Sequence, residues 1–240
     1  MSSTPSAPDL PPLKETISNP LDHLARYALR YVKPGQTLGL GTGRAASAFI
    51  RALAAAGLKI RGVPTSKASS ELAHSLGIEL ADFNQVSRLD ADFDGADEVD
   101  ARLNMVKGRG GAMVREKVVA VASRRRIFLV GSEKRVKRLG ERGILPVEVV
   151  PFAINPVLRE VSRLGLKPQI RLGGNGQEFV SDNGNVVIDC RVTAIRSPAR
   201  LECDLLAIPG VVGTGLFVGI ADIVLVGSED GAVTTMRRPR

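Results

Sequence analysis

Apolar residues recur along the chain at two periods, and the changes between those periods divide it into elements. Leu21, Leu24, Ala25, Ala28, Leu29 and Val32 fall at i, i+3, i+4, i+7, i+8 and i+11. That spacing predicts one buried face of a helix, opened by Asn19-Pro20 and closed by Lys33-Pro34-Gly35. Strand-like and helix-like stretches then alternate. Thr37 to Leu40 reads as a strand, Arg44 to Ala56 as an Ala-rich helix and Ile60 to Val63 as a second strand. Ser66 to Leu76 reads as helical, Leu89 to Phe93 as extended, Met113 to Ser123 as helical and Ile127 to Val130 as an apolar strand. Such alternation predicts an α/β fold, a mostly parallel sheet with helices on both faces.

The pattern changes near Leu145. Pro146 to Val150 reads as a strand and Asn155 to Leu164 as a helix stopped at Gly165. Short strands are expected on either side of Asp182-Asn183-Gly184-Asn185, whose Asn-Gly pair favours a hairpin. After Pro209-Gly210, Ala221 to Val226 reads as an apolar strand that returns to the first sheet. The expectation is an α/β body with a smaller α+β unit inserted near its C-terminal end. Residues 1–20 hold five prolines and no apolar periodicity, the composition of a disordered tail. That tail has neither a hydrophobic signal core nor the arginines of a transit peptide, so a cytoplasmic protein is expected.

Composition narrows the chemistry. The chain has 240 residues, 44% of them hydrophobic and 24% charged, as in ordinary soluble domains. Aromatics at 4% and no Trp argue against stacking platforms for single-stranded nucleic acid. No apolar run reaches the about 18 residues of a membrane span. Two cysteines, Cys190 and Cys203, make no disulfide framework, and His23 and His74, the only histidines, read as surface or packing residues rather than metal ligands. No metal or cofactor is expected. The net charge of +8 is spread over separate stretches rather than one block, and it reads as a solvated basic surface more readily than as a nucleic-acid site.

Gly39-Leu40-Gly41-Thr42-Gly43-Arg44 lies between a strand and a helix, the junction where α/β sheets bind ligands. Gly41, Thr42 and Gly43 allow close backbone approach, and the helix start offers N–H groups to an anion. A dinucleotide fingerprint would need glycine at Arg44, and no acidic residue follows about 20 positions later. A phosphate monoester fits better, with a plain structural turn as the other reading. Ser66 and Lys67 stand at the next such junction, where the hydroxyls either cap the helix or meet a ligand.

Asp92, Asp94, Asp97, Glu98 and Asp100 place five carboxylates in nine residues, so some of them must meet cations, hydrogen-bond donors or protons. Lys107-Gly108-Arg109-Gly110-Gly111 follows, ahead of the helix that carries Glu116. Glycine-borne amides and an ammonium suit a developing oxyanion, and Glu116 is a candidate general base. Proton transfer beside a carbonyl, as in aldose–ketose isomerisation through an enediolate, accounts for this set. Calcium binding by the aspartates competes, but the EF-hand spacing fails.

Gly39 to Gly43, Asp94-Gly95-Ala96-Asp97-Glu98, Lys107-Gly108-x-Gly110-Gly111-Ala112 and Arg115-Glu116-Lys117 resemble the type A ribose-5-phosphate isomerases. Leu145 to Val149, Asp182 to Asn185, Pro209 to Val212 and Gly215-Leu216-Phe217 extend the resemblance over about residues 21–235. The resemblance implies a metal-independent, cofactor-free interconversion of D-ribose 5-phosphate and D-ribulose 5-phosphate. It gives Glu116 the proton transfer between C1 and C2 and Asp94 a part in opening the furanose ring. It gives Asp97 and Lys107 the placing of hydroxyls and the stabilising of the enediolate. Gly95 and Lys134 are expected at the substrate, and Gly108, Gly110 and Gly111 complete the oxyanion site.

The family fold is a Rossmann-like domain with a small ferredoxin-like α+β domain, here assigned to residues 21–143 with 219–240 and to residues 144–218. The expected partners are a pentose phosphate and further copies of the chain, as a homodimer or homotetramer. The chain departs from the family pattern at several places. Arg44-Ala45 replace two hydroxyl residues, Leu21-Asp22 a lysine, Lys67 an acidic or neutral residue, Arg109 a glycine and Gly131 an aspartate. Either Arg44 and Lys67 take over the grip on phosphate, or the pocket binds or senses a sugar phosphate without efficient turnover. A sugar-phosphate sensor and a coenzyme A transferase-like enzyme on a related fold are the competing classes.

Overall fold

A computed structural model describes residues 19–238 of the chain. The tail expected over residues 1–20 therefore lies, for residues 1–18, outside the described residues. Asn19 and Pro20 instead open α1 (Pro20–Ala28), with the Asn19 side chain accepting from the Leu21 N–H at 3.0 Å. The expected apolar stripe is buried from Leu24 to Val32, but the α-helix stops at Ala28 and tightens into a 3-10 turn over Leu29–Tyr31.

The chain then runs through β1 (Thr37–Leu40), α2 (Arg44–Ala55), β2 (Arg61–Pro64), α3 (Lys67–Ser75), β3 (Glu79–Leu80) and β4 (Ala91–Gly95). Two short strands follow, β5 (Glu98–Val99) and β6 (Met105–Val106), then α4 (Met113–Val121) and β7 (Arg126–Gly131). Next come β8 (Ile144–Val149), α5 (Ile154–Arg163), β9 (Lys167–Ile170), β10 (Val186–Arg191), α6 (Pro198–Leu206) and β11 (Val211–Thr214). The chain ends with β12 (Leu216–Phe217), β13 (Ile223–Gly227) and β14 (Val233–Arg237). Most expected elements are present with their ends moved by one or two residues.

The main sheet has the order β14-β13-β7-β4-β1-β2-β3 and is parallel except for β14, which pairs antiparallel with β13. Its central strands are buried along their length, as the unbroken apolar runs require. Leu24, Phe49, Leu53 and Ala73 from α1, α2 and α3 pack into one core cluster with β1 and β4, where the Phe49 and Phe93 rings stack at 4.2 Å. Residues of α4 pack against Phe128 and Phe217 in another cluster. The chain leaves β1 to one side for β2 and β3 and returns to the other side for β4, so the order reverses between β1 and β4. Crevices at such reversals lie beyond the carboxyl ends of the strands.

The segment from β8 to β11 forms its own antiparallel sheet of order β11-β8-β10-β9, crossed by α5 and α6. Its βαββαβ sequence is the ferredoxin-like arrangement. The turn over Asp182–Asn185 forms, with Gly184 N–H donating to Ser181 O at 2.9 Å. The strand expected before it shrinks to isolated bridges, Leu172 with Glu178 and Val180 with Val186. Gly173, Gly174 and Gly176 interrupt that stretch, so β10 takes β9 as its hairpin partner. Strand β12 joins β6 and β5 in a three-stranded ribbon between the two sheets.

Candidate active site

The carboxyl ends of β1, β4, β7 and β13 open onto a single cavity of about 900 Å³. Thr42 to Ala45 follow β1, Gly95 to Asp97 end β4, and Ser132 to Lys134 and Ser228-Glu229 follow β7 and β13; all of them line it. The far wall holds Lys107, Gly108, Arg109, Gly110 and Glu116.

The register of β1 and β4 buries Asp92 and Asp94, neither of which lines the cavity; Asp94 reaches it only through Lys107. Asp92 and Asp94, two residues apart on one strand, point to the same face. Opposite them stand Gly39 on β1 and Gly41 just after it, where a Cβ would collide with the Asp92 and Asp94 side chains respectively. Both glycines are needed for this close approach, and both aspartates are fully buried. Each of the five clustered acids then meets a different fate. Asp92 has no hydrogen-bond partner on either oxygen, and burial first, then the Asp94 charge, hold its carboxyl well above the usual range. Asp94 Oδ1 accepts from the Thr42 and Gly95 N–H groups at 3.0 and 2.7 Å, and Oδ2 lies 3.0 Å from Lys107 Nζ. Asp97 accepts from the Arg109 N–H at 3.0 Å. Glu98 accepts from Gly140 and Arg142 N–H groups, and Asp100 caps its own loop.

Lys107 is the centre of the charged group. It is 2% exposed, its Nζ donates to Gly95 O at 2.5 Å, and the Phe128 and Phe217 rings lie within 5.7 Å of that nitrogen. Glu116 Oε2 stands 3.3 Å away on α4, with no aligned hydrogen-bond donor. One ammonium therefore faces two buried carboxylates. Burial pushes the Glu116 carboxyl up to about 8, and the Asp94 charge adds to that rise against the opposing pull of Lys107. Burial also raises Asp94 despite Lys107. Burial works to lower Lys107, but Asp94 and Glu116 outweigh it and keep the ammonium charged. A carboxylate with a free lone pair and an affinity for protons near neutrality can both take and return a proton, as general base chemistry requires.

The glycine loop divides its amides. Gly108 and Gly110 line the cavity, and neither N–H finds a protein acceptor among the described residues. The Gly111 N–H closes a turn on Gly108 O at 3.0 Å, and Gly111 packs against Phe179, so this amide is not offered to the cavity. Arg109 lines the wall while its guanidinium donates to Arg142 O at 3.1 Å.

At the other end, Thr42, Gly43 and Arg44 line the cavity, and α2 begins with no side-chain cap on its free N–H groups. Thr42 Oγ1 donates to Ser66 Oγ at 2.8 Å and lies 2.8 Å from Thr65 Oγ1. Ser66 forms a capping box with Ser69, so its hydroxyl supports Thr42 from behind rather than lining the cavity. Gly41 and Lys67 also lie outside the lining; the Lys67 N–H donates to Asp182 Oδ2 at 2.7 Å and its side chain is exposed. Lys134 does line it, its ammonium lowered by burial and by the nearby Arg142. Sequence reasoning missed Ser47 and Arg51, which continue the Arg44 face of α2 at i+3 and i+7 and could have been found by helical spacing.

Comparison with known proteins points one way. Residues 61–231 match the family model described as ribose 5-phosphate isomerase A (phosphoriboisomerase A). The chain is 44% identical over 222 residues to ribose-5-phosphate isomerase A of Roseiflexus castenholzii, covering 88% of this chain and 95% of that one. It is 45% identical to the same enzyme of Thermomicrobium roseum, over 88% and 90% of the two chains. Ribose 5-phosphate isomerase A from Methanocaldococcus jannaschii superposes with a TM-score of 0.86 at 38% identity, over 91% of this chain and 98% of that one. A D-ribose-5-phosphate isomerase solved in complex with phospho-erythronic acid gives a TM-score of 0.87 at 36% identity, over the same shares.

Proposed function

The chain belongs to the ribose 5-phosphate isomerase A family, and from that membership we propose how its residues interconvert D-ribose 5-phosphate and D-ribulose 5-phosphate. The protein is an isomerase. The observation that carries the residue assignment is the buried Asp94–Lys107–Glu116 group, whose Lys107 and Glu116 line the cavity. Glu116 removes the C2 proton of the open-chain aldose, and negative charge moves to O1. The Lys107 ammonium and the Gly108 and Gly110 amides hold that oxygen. Glu116 then returns the proton to C1 while the O2 hydroxyl proton passes to O1, so that the ketose carbonyl forms at C2 and a hydroxyl is left on C1. Asp94 acts in the preceding ring opening through the ammonium it holds, and Asp97, pinned by the Arg109 amide, orients hydroxyls.

The phosphate is assigned to Thr42, Gly43 and the first turn of α2, with Arg44 supplying the charge. A guanidinium grips phosphate through two parallel bonds, which replaces the hydroxyl pair absent here. Thr42 is held by Ser66, and Lys67 has no part in the grip. Gly95 shapes the floor and Lys134 the rim. Residues 21–143 with 219–240 are proposed as the catalytic body and 144–218 as the small unit, a division supported by the separate sheets. Assembly into a homodimer or homotetramer is supported by Phe152 and Val121, apolar side chains that are largely exposed. A cytoplasmic setting accords with two free cysteines, Cys190 and Cys203. Among the described residues no helix is long and apolar enough to cross a membrane.

Purified protein is expected to convert ribose 5-phosphate to ribulose 5-phosphate in a coupled assay, with the same rate in EDTA. Binding of the sugar phosphate without turnover would overturn the assignment.

A further inference from the structure

We propose that Arg171, on the small unit and outside the cavity wall, is a positioning residue that turns the peptide planes of the glycine loop toward their tasks. Arg171 follows β9, and its Nη1 donates to both Gly108 O at 2.9 Å and Arg109 O at 3.0 Å. Its Nε and Nη2 form a two-pronged contact with Asp189 on β10, at 2.9 and 2.5 Å, which fixes the plane of the guanidinium. The Phe179 ring, 5.6 Å from the guanidinium carbon, covers it and also packs on Gly111.

The consequence follows from peptide geometry. In a trans peptide the C=O and the following N–H point in opposite directions, and no cis bond occurs among the described residues. Holding Gly108 O turns the Arg109 N–H the other way, where it meets Asp97 Oδ2 at 3.0 Å. Holding Arg109 O turns the Gly110 N–H the other way, on a residue of the cavity wall and with no protein acceptor. One cation, reaching across from 62 and 63 residues away in sequence, thus aims one amide at the Asp97 carboxylate and another at the reacting oxygen. Gly108 O also accepts from the Gly111 N–H at 3.0 Å, so Arg171 reinforces that plane, whereas Arg109 O has Arg171 as its one donor among the described residues and its plane is set from outside the loop.

This inference rests on the isomerase reading, so wild-type activity is measured first; failure there condemns that reading, whereas normal wild-type activity leaves Arg171 to be judged on its variants. In Arg171→Ala, kcat is expected to fall about 10- to 100-fold, somewhat less than loss of an oxyanion donor outright. KM and the affinity for inorganic phosphate should stay within about 3-fold, because the phosphate end is built from another element. Arg171→Lys should not restore kcat, since a point charge cannot hold two carbonyls and a carboxylate at once. Added guanidinium ion should recover part of the loss in Arg171→Ala. If that variant does not fold, Asp189→Asn keeps the arginine, frees its plane and is expected to lose kcat about 3- to 10-fold with KM unmoved. A kcat within about twofold of wild type in Arg171→Ala, or equal losses in kcat and phosphate affinity, would overturn the proposal.

Discussion

Two glutamates, one served by each sheet, are almost completely out of water, yet their surroundings set them to opposite uses. Glu148, on β8 in the small sheet, has Oε1 filled by Ser181 Oγ at 2.9 Å, Asn183 Nδ2 at 3.0 Å and Asn185 Nδ2 at 2.9 Å. Glu116, on α4, has an ammonium at 3.3 Å, no aligned donor on Oε2 and an open cavity in front of it. Neutral donors gathered on one oxygen tie a turn to a strand. A lone pair left free beside a like-charged carboxylate binds a proton and can pass it on. Burial and an Oε2 without a hydrogen-bond donor are common to both; the three donors on Glu148 Oε1, against the ammonium, second carboxylate and cavity beside Glu116, separate a fastener from a candidate base.

Removing the fastener gives the larger change in stability. Glu148→Ala leaves the buried Ser181 hydroxyl unmet while the Asn183 and Asn185 amides, in a partly exposed turn, can meet water, so urea denaturation should show a loss of about 1–3 kcal/mol. Turnover per folded molecule should hold within about 3-fold, because Glu148 acts on the 181–185 turn and not on the cavity. A collapse of kcat with unchanged stability would erase the contrast between the two glutamates.

Asp92 sharpens the same contrast with a smaller effect, as a buried acid that has neither donors nor a cavity. Asp94, Lys107, Glu116 and Arg126 are the charges that act on it, and burial dominates. Its carboxyl titrates higher in the folded chain than in the unfolded one. The stability it contributes is therefore complete below the ordinary value near 3.8 and is lost as pH rises toward the folded value. Asp92→Asn removes that loss. Thermal melts should show the variant more stable than wild type at pH 8 and no more stable at pH 3.5. A gain independent of pH would mean that Asp92 is not held neutral.

The glycine-rich loop after β1 and the cavity-lining Glu116 on α4 were legible because each sits in a local pattern: glycines at a strand–helix junction, and Glu116 on a helix after a glycine run. The fates of the five acids were not, because they depend on register. Nothing near Asp92 in sequence says that Gly39 will stand opposite it, or that Lys107 will arrive beside Asp94. Assigning Gly111 to the oxyanion site failed for a related reason, since a turn of its own loop claims the N–H. Arg171 was invisible because its partners lie in another sheet. Helix α6 was readable but missed: Ser197-Pro198 opens it, and Leu201, Leu205 and Ile208 keep helical spacing. Strand β14 was missed because an edge strand of threonines carries little apolar signal.

The most direct test follows the C2 hydrogen of ribose 5-phosphate by proton NMR in D2O, with wild-type protein and with Glu116→Gln. The wild type should equilibrate aldose and ketose with deuterium entering at the transferred position. The variant should bind the sugar phosphate within about 3-fold of wild type while isomerisation and exchange both fall by about 10²–10⁴-fold. Exchange in Glu116→Gln at a rate within about tenfold of wild type would show that some other group carries the proton, and would contradict the account.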